Sequence, residues 1–254
     1  MYRTTPLAIG RSHSVLPLRL NRLVHRRFAV GGSWTDDPQL HEYYADLASL
    51  HGIGYRGDVL RRGAGNTFVT MAAPMLAGLD PVDLVIIAHA TPDLDPRVSA
   101  AASTAHHFAG EPLVFTVAGE ASSVTFTAIR LTGEYARRHS YRRALVLVLD
   151  QSTLPYESTE VLGGDAAVAL HFEFDPGGRV RSGRIPDVAP DEVARVAYQI
   201  GGSESVIVLG EPERGFPATG IWRGYQPGSS TVLVHYDESR AQLSYCAIDA
   251  NEAT

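Results

Sequence analysis

The stretch between residues 112 and 150 constrains the fold more than any other part of the chain. Its letters indicate a buried strand at 113–117, a turn of small residues at 118–123, an amphipathic helix, and a second buried strand that ends at Asp150. In a parallel sheet such a turn lies at the carboxyl end of a strand, where ligands and nucleophiles are found. The second strand is too continuously apolar to have one wet face, which is typical of parallel strands buried on both sides.

Similar apolar runs alternate with helical patterns along the first 174 residues. Leu84 to His89 and Ala166 to Phe172 are apolar almost throughout, and helical segments precede and follow the first of them. Strands that alternate with helices favour an α/β fold. We therefore predict a five-stranded, mostly parallel sheet with helices on both faces for residues 1–174. For residues 175–254 we predict a shortened second half of one helix and three strands, packed with the first as one globular unit.

Composition excludes several classes of function. The 254 residues are 44% hydrophobic and carry a formal net charge of -6, so the basic footprint of a nucleic-acid-binding protein is absent. The single cysteine, Cys246, excludes an internal disulfide framework and a cysteine-based metal site. No stretch approaches the roughly 20 apolar residues of a membrane span, and the first 20 residues do not resemble a signal peptide. We expect a cytoplasmic protein without cofactor, metal, membrane or nucleic-acid partner.

Four segments carry a resemblance to a known family. FTVAGEASS at 115–123 resembles a strand of the form F-D-V-x-A-A-C-S-G, and GIGYR at 52–56 resembles Gly-Ile-x-x-Arg. PVDLVIIAHATPD at 81–93 and GGDAAVAL at 163–170 resemble the strands that precede and follow the turn in that family. In order and spacing they resemble the amino-terminal half of the thiolase superfamily, and most of all the type III ketoacyl-acyl carrier protein synthases. The resemblance implies a thiolase-like α/β fold.

The resemblance also implies that the condensation chemistry is lost. Ala121 stands where those synthases have the cysteine that takes the acyl chain. Their histidine follows an apolar strand, but the equivalent strand at 206–209 runs into Gly-Glu-Pro-Glu, and their Gly-Asn-Thr segment would fall where 215–220 holds no asparagine. In those synthases the second half is about as long as the first, so its middle is cut out here.

Other residues near the turn are candidate replacements. Ser122 would be a nucleophile if a base reached it, and Glu120 or His106 would be that base. Each also has a structural interpretation. Ser122 is of a type that caps helices, Glu120 suits the amino-terminal end of a helix dipole, and His106 suits a carboxyl end. Cys246 lies in an apolar strand and is expected to be a small buried hydrophobe.

Three arginines are candidate binders of an acyl carrier protein or a CoA thioester. Arg56 lies in the Gly-Ile-x-x-Arg-like segment, and Arg22 and Arg26 belong to the basic stretch 19–27. That stretch is either a solvated strand edge or a docking patch for an acidic carrier protein. The resemblance further implies dimerisation through the strand 113–117, as a homodimer or as a heterodimer with a catalytic ketosynthase.

Three functions stay open from the sequence. The first is a ketosynthase-like partner subunit of acyl or polyketide-type specialised metabolite biosynthesis that does not condense. The second is a repurposed acyltransferase or acyl-thioester hydrolase that uses Ser122 and Glu120. The third is a module that binds an unrelated small molecule and shares only the α/β pattern.

Overall fold

The computed structural model describes residues 14–29, 31, 37–62, 64–108, 110–119, 121–158, 162–210 and 213–250. Ten strands and six α-helices lie within these ranges. The strands are β1 Ser14–Leu16, β2 Leu18–Phe28, β3 Leu84–His89, β4 Leu113–Ala118, β5 Arg143–Asp150, β6 Asp165–Phe174, β7 Val180–Ile185, β8 Val206–Leu209, β9 Thr231–Asp237 and β10 Gln242–Ile248. The helices are α1 Pro38–His51, α2 Gly57–Arg61, α3 Phe68–Leu76, α4 Ala100–His107, α5 Ser123–Arg138 and α6 Val193–Gly201. The candidate catalytic residue Glu120 lies outside the described residues.

The first sheet has five strands in the order β2-β6-β5-β3-β4. β3 pairs in parallel with β4 and with β5, whereas β6 is antiparallel to β5 and to β2. The sheet is therefore mixed, and the prediction of a mostly parallel sheet is corrected. A parallel return needs a crossover, usually a helix, and the described part of the connection from β5 to β6 contains none. The continuous apolar run of β6 comes from burial on both faces, which a central antiparallel strand shares with a parallel one.

The second sheet has the order β1-β7-β10-β9-β8. Residues 175–254 supply four of these strands, one more than the sequence predicts, because β7 has the polar sequence VRSGRI and was missed. β1 joins from the other end of the chain by pairing with β7. β8 pairs in parallel with β9, and the other pairings are antiparallel. The division of the chain at residue 174 stays a prediction.

Helix α5 lies between the two sheets. Val124, Phe126 and Ile129 belong to one buried cluster that also contains residues of both sheets. Gly133 permits this close approach, because a Cβ atom there would lie only 2.7 Å from Cδ2 of Leu16.

Other helices cover the outer faces. α3 and α4 pack on the opposite face of the first sheet, and α6 packs on the second sheet. The prediction of an α/β fold with helices on both faces of the first sheet is confirmed.

Candidate functional site

The turn between β4 and α5 is tight and anchored to the neighbouring strand. The backbone N–H of Gly119 donates to the carbonyl oxygen of His89 at the end of β3, at 3.2 Å. Ala121 has φ of 44°, in the left-handed region that costs a residue with a side chain roughly 1–2 kcal/mol. α5 begins two residues later, at Ser123. The predicted change from strand to helix is thus confirmed, and Ala121 occupies its strained position.

The Ser122 side chain is fully buried beside this turn, with 0% of its surface exposed. Its hydroxyl donates a hydrogen bond of 3.1 Å to the carbonyl oxygen of Pro217. It makes no capping hydrogen bond to the backbone of α5, so the interpretation of Ser122 as a helix cap is wrong. The hydroxyl instead connects the start of the helix to a segment of the second half of the chain.

We name residues 216–219 the inner loop. Asp150, at the carboxyl end of β5, is 1% exposed and accepts hydrogen bonds from the backbone N–H groups of Ala218 and Thr219. The Thr219 hydroxyl also donates to it at 2.7 Å, and the Thr125 hydroxyl donates to the Ala218 carbonyl oxygen at 3.4 Å. A buried carboxylate requires such charge-assisted donors, so Asp150 holds the inner loop in place.

The role of Asp150 was not predicted, although the sequence contains a signal for it. An acidic residue that directly follows six buried apolar residues is unusual, because aspartate is rarely buried without partners. The partners themselves are 68 and 69 positions away along the chain, and no local pattern points to them.

A cavity of about 270 Å³ lies on the other side of the turn. Its lining residues are Val117, Ala118, Gly119, Ser123, Val124, Thr127, Arg184 and Arg240. Ser122 is not among them, and none of these described residues carries a carboxylate or an imidazole. The Arg184 guanidinium donates to the Thr127 hydroxyl at 2.9 Å. The cavity offers positive charge beside the turn but no general base from its described lining.

His106 does not join Ser122. It is exposed on the last turn of α4, where its Nδ1 atom lies 2.7 Å from the carbonyl oxygen of Ala102 in the same helix. α4 packs on the outer face of the first sheet and α5 on the inner face, so the sheet separates the two side chains. The predicted set of Ser122, Glu120 and His106 is therefore not assembled by the described residues, and His106 fits its structural interpretation.

Arg56 lies at the junction of two cavities of about 390 and 620 Å³. Its backbone N–H donates to Pro155, and the N–H of Glu157 donates to Gly54, both at 2.8 Å. A Cβ atom on Gly54 would lie 2.4 Å from Cδ of Glu157, so a larger residue there would have to displace the end of the Glu157 side chain. The smaller cavity adds Arg62, and the guanidinium groups of Arg56 and Arg62 both approach the Asp58 carboxylate, at 3.9 and 3.0 Å.

The predicted carrier-binding arginines do not form one site. Arg22 and Arg26 lie on β2, at one edge of the first sheet, and both are exposed. β4, the strand of the predicted dimer contact, forms the opposite edge of the sheet, four strand spacings or about 19 Å away from β2. Arg56 lines cavities that contain neither of them. The basic stretch is therefore a strand edge, as one of its two interpretations states, and its carrier role stays a prediction.

Three further observations concern a cysteine nucleophile, a metal site and a membrane-spanning helix. Cys246 is buried in β10, and burial raises the pKa of its thiol to about 12, so it is inert as a nucleophile. No cluster of three or more His, Cys, Asp or Glu residues in the described ranges is arranged to hold a metal ion. The helices in those ranges are all too short or too polar to cross a bilayer.

Neither a protein-family model nor a curated protein matches this sequence. Solved structures do match it. A 3-oxoacyl-(acyl-carrier-protein) synthase III superposes with a TM-score of 0.59 at 14% identity, over 91% of this chain and 99% of that one. The chain has a thiolase-like fold. A 3-oxoacyl-(acyl-carrier protein) synthase from Burkholderia xenovorans LB400 gives a TM-score of 0.60 at 12% identity, over 96% and 97% of the two chains.

OleA from Xanthomonas campestris, as the H285A variant, has the same thiolase-like fold, with a TM-score of 0.54 at 13% identity over 91% of this chain and 98% of that one. Identities this low show the fold alone. Within the thiolase-like fold of this chain, the inner loop meets the start of α5 directly after the strained Ala121.

Proposed function

We propose that this chain is a ketosynthase-like protein of acyl or polyketide-type specialised metabolite biosynthesis, and that it serves an active synthase as a non-condensing partner subunit. The solved structures with its fold include proteins named as 3-oxoacyl-(acyl-carrier-protein) synthases. The class of pathway in this proposal is taken from the names of those proteins. The proposal that this chain does not catalyse condensation is based on the described side chains at the turn.

One observation carries the proposal, namely the chemistry available at the turn. Acyl transfer to a protein needs a nucleophile that is both exposed to substrate and activated by a base. Ala121 has only a methyl group, and the neighbouring hydroxyl of Ser122 is fully buried and donates to Pro217. A buried hydroxyl whose proton is held by a carbonyl oxygen is poorly placed to attack a thioester.

The inner loop supports the same conclusion. Asp150 and Thr125 fix Ala218 and Thr219 against the start of α5, so protein atoms fill this space. Opening it would break the hydrogen bonds that Ser122, Thr125 and Asp150 make to the inner loop, and these bonds together contribute several kcal/mol of net stability. A repurposed acyltransferase or hydrolase that uses Ser122 would have to bear this cost in each catalytic cycle.

The partner role draws on the edge of the first sheet. Among the described strands, β4 forms an edge of the first sheet and pairs on one side only, and Leu113 at its start is 40% exposed. Apolar and β-branched residues on an unpaired edge favour pairing with another strand. A mate strand from a synthase would extend the sheet and cover the edge.

Co-expression tests the proposal. The chain would be produced alone and together with a catalytic type III synthase of the same genome, and each preparation assayed for 3-oxoacyl product from acyl and malonyl carrier proteins. We expect no product from the chain alone and an active, co-eluting complex from the pair. Product formation by the chain alone would contradict the proposal, and so would elution of every such synthase without it.

A further inference from the structure

A β-bulge in β2 redirects one arginine. The register with β6 shifts between Leu20, which lies opposite Phe172, and Arg22, which lies opposite His171. Leu20 and Phe172 belong to the core between the two sheets. Side chains alternate along a strand, so residues two apart normally share a face, and the extra residue Asn21 breaks this rule. Arg22 therefore lies on the outer face of the sheet, beside His171.

A cavity of about 210 Å³ opens at this point. Its polar lining residues are Asn21, Arg22, Asp80, Arg143, His171 and Glu173. Arg22 on β2 and Arg143 on β5 flank β6, which contributes His171 between them. Arg143 begins β5, whereas Asp150 ends it beside the inner loop. The cavity thus lies at the opposite end of the sheet from the turn at Ala121.

The polar groups of this cavity are incompletely paired. The Nε2 atom of His171 is buried without a hydrogen-bond partner, and no hydrogen bond or ion pair joins the Arg22 guanidinium to any described residue. Glu173 is paired with Arg19 and also interacts with the charge of Arg143, and Arg143 forms an ion pair of 3.3 Å with the highly exposed Asp80. Burial, and then the charge of Arg22, lowers the pKa of His171, so the imidazole is neutral near pH 7.

We propose that this cavity binds a small phosphate monoester, with its phosphate group between Arg22 and Arg143 and above the His171 imidazole. Guanidinium groups bind phosphate oxygens through paired N–H donors, and a neutral imidazole supplies one more donor at Nε2. The volume equals that of about seven water molecules, at roughly 30 Å³ each, so it exceeds what a phosphate ion fills. Asn21 and Asp80 also line the cavity, and their side-chain oxygens are hydrogen-bond acceptors for hydroxyl groups of the ester.

Calorimetric titration of the full chain with glycerol 3-phosphate, inorganic phosphate and glycerol tests this site. We expect binding of glycerol 3-phosphate that is tighter than binding of phosphate, and no binding of glycerol. The Arg22→Gln and Arg143→Gln variants should each weaken binding about tenfold or more. Arg142→Gln is the matched control, because Arg142 adjoins Arg143 in the chain, is exposed and does not line the cavity.

A second readout follows His171 directly. Its imidazole resonances in the NMR spectrum should shift on addition of glycerol 3-phosphate in the wild type and in Arg142→Gln, and much less in Arg22→Gln. Equal affinities for phosphate and its ester would overturn the monoester assignment. Absence of binding by the folded wild type, or equal weakening in Arg142→Gln, would overturn the site itself. These outcomes are independent of the proposed partner function.

Discussion

The Ser122 hydroxyl and the Pro217 carbonyl oxygen, 95 residues apart in the chain, are joined by a buried hydrogen bond of 3.1 Å. This bond connects the first turn of α5 to the inner loop. It occupies the proton that a nucleophilic serine would have to lose. The same hydroxyl that the sequence offers as a replacement nucleophile therefore holds the inner loop against α5.

Replacement of Ser122 by alanine should destabilise the protein by about 1–3 kcal/mol, because it leaves the Pro217 carbonyl oxygen buried without its donor. Urea-induced unfolding would measure the change. Ser49→Ala is the control, since Ser49 is exposed on α1 and its loss should change the unfolding free energy by no more than about 0.5 kcal/mol. Equal effects of the two substitutions would show that the hydroxyl of Ser122 has no structural role.

The Asp150→Asn variant should lose about 2–4 kcal/mol of stability. The amide keeps the volume of the carboxylate, but its NH₂ group would face the N–H donors of Ala218 and Thr219. Hydrogen exchange at these two amides should accelerate together. Asp46→Asn, at an exposed position of α1, is the matched control. Unchanged exchange at both amides in Asp150→Asn would contradict the anchoring role of Asp150.

The sequence predicts the parts of this fold that local patterns determine. The bounds of β3 at Leu84 and His89, the small-residue turn and the amphipathic α5 all follow from hydrophobic periodicity. Hydrophobic periodicity does not predict elements that form because they pair with strands distant in the sequence. β7 contains Arg181, Gly183 and Arg184 and is a strand because β1 and β10 pair with both its sides.

The candidate site, too, is predicted only in part by local sequence patterns. Its position at the turn was predicted from the small residues that end at Ser123. The hydrogen-bond partners of Ser122 and Asp150 could not be predicted in this way, because they belong to the inner loop, about 70 to 95 positions away in the chain. The sheet between α4 and α5 also separates His106 from Ser122, although both stand near turns in the sequence.

Asp93 should make stability depend on pH. It accepts a hydrogen bond from the backbone N–H of Phe68, yet burial raises its pKa from 3.8 to about 6. A carboxyl with a raised pKa in the folded state stabilises the fold below about pH 4, and this contribution is lost as the pH rises through about 6.

The Asp93→Asn variant isolates this contribution. Relative to it, the wild type should lose on the order of 2 kcal/mol of unfolding free energy between about pH 4 and pH 7. Taking the difference between the two proteins removes the titration of all other groups. A constant difference across that range, or a wild type that gains relative stability with pH, would refute the assignment.

Leu113→Glu should weaken self-association or association with a synthase. The change places a charge on the exposed start of the edge strand β4, where pairing with a mate strand would bury it. Sedimentation velocity at micromolar concentration would measure the shift from dimer to monomer. Leu50→Glu, at a leucine that is 80% exposed on α1, should leave the sedimentation coefficient unchanged. A wild type that is monomeric and binds no synthase would contradict the proposed role of the β4 edge in association.

Intact-mass spectrometry after incubation with acyl-CoA and with acyl carrier protein would show whether any residue of the chain accepts an acyl group. An active type III synthase serves as the positive control. We expect the wild-type chain to keep its unmodified mass, because Ala121 has no nucleophilic atom and the buried hydroxyl of Ser122 donates to Pro217. A stable acyl adduct that peptide mapping places on Ser122 would contradict this expectation.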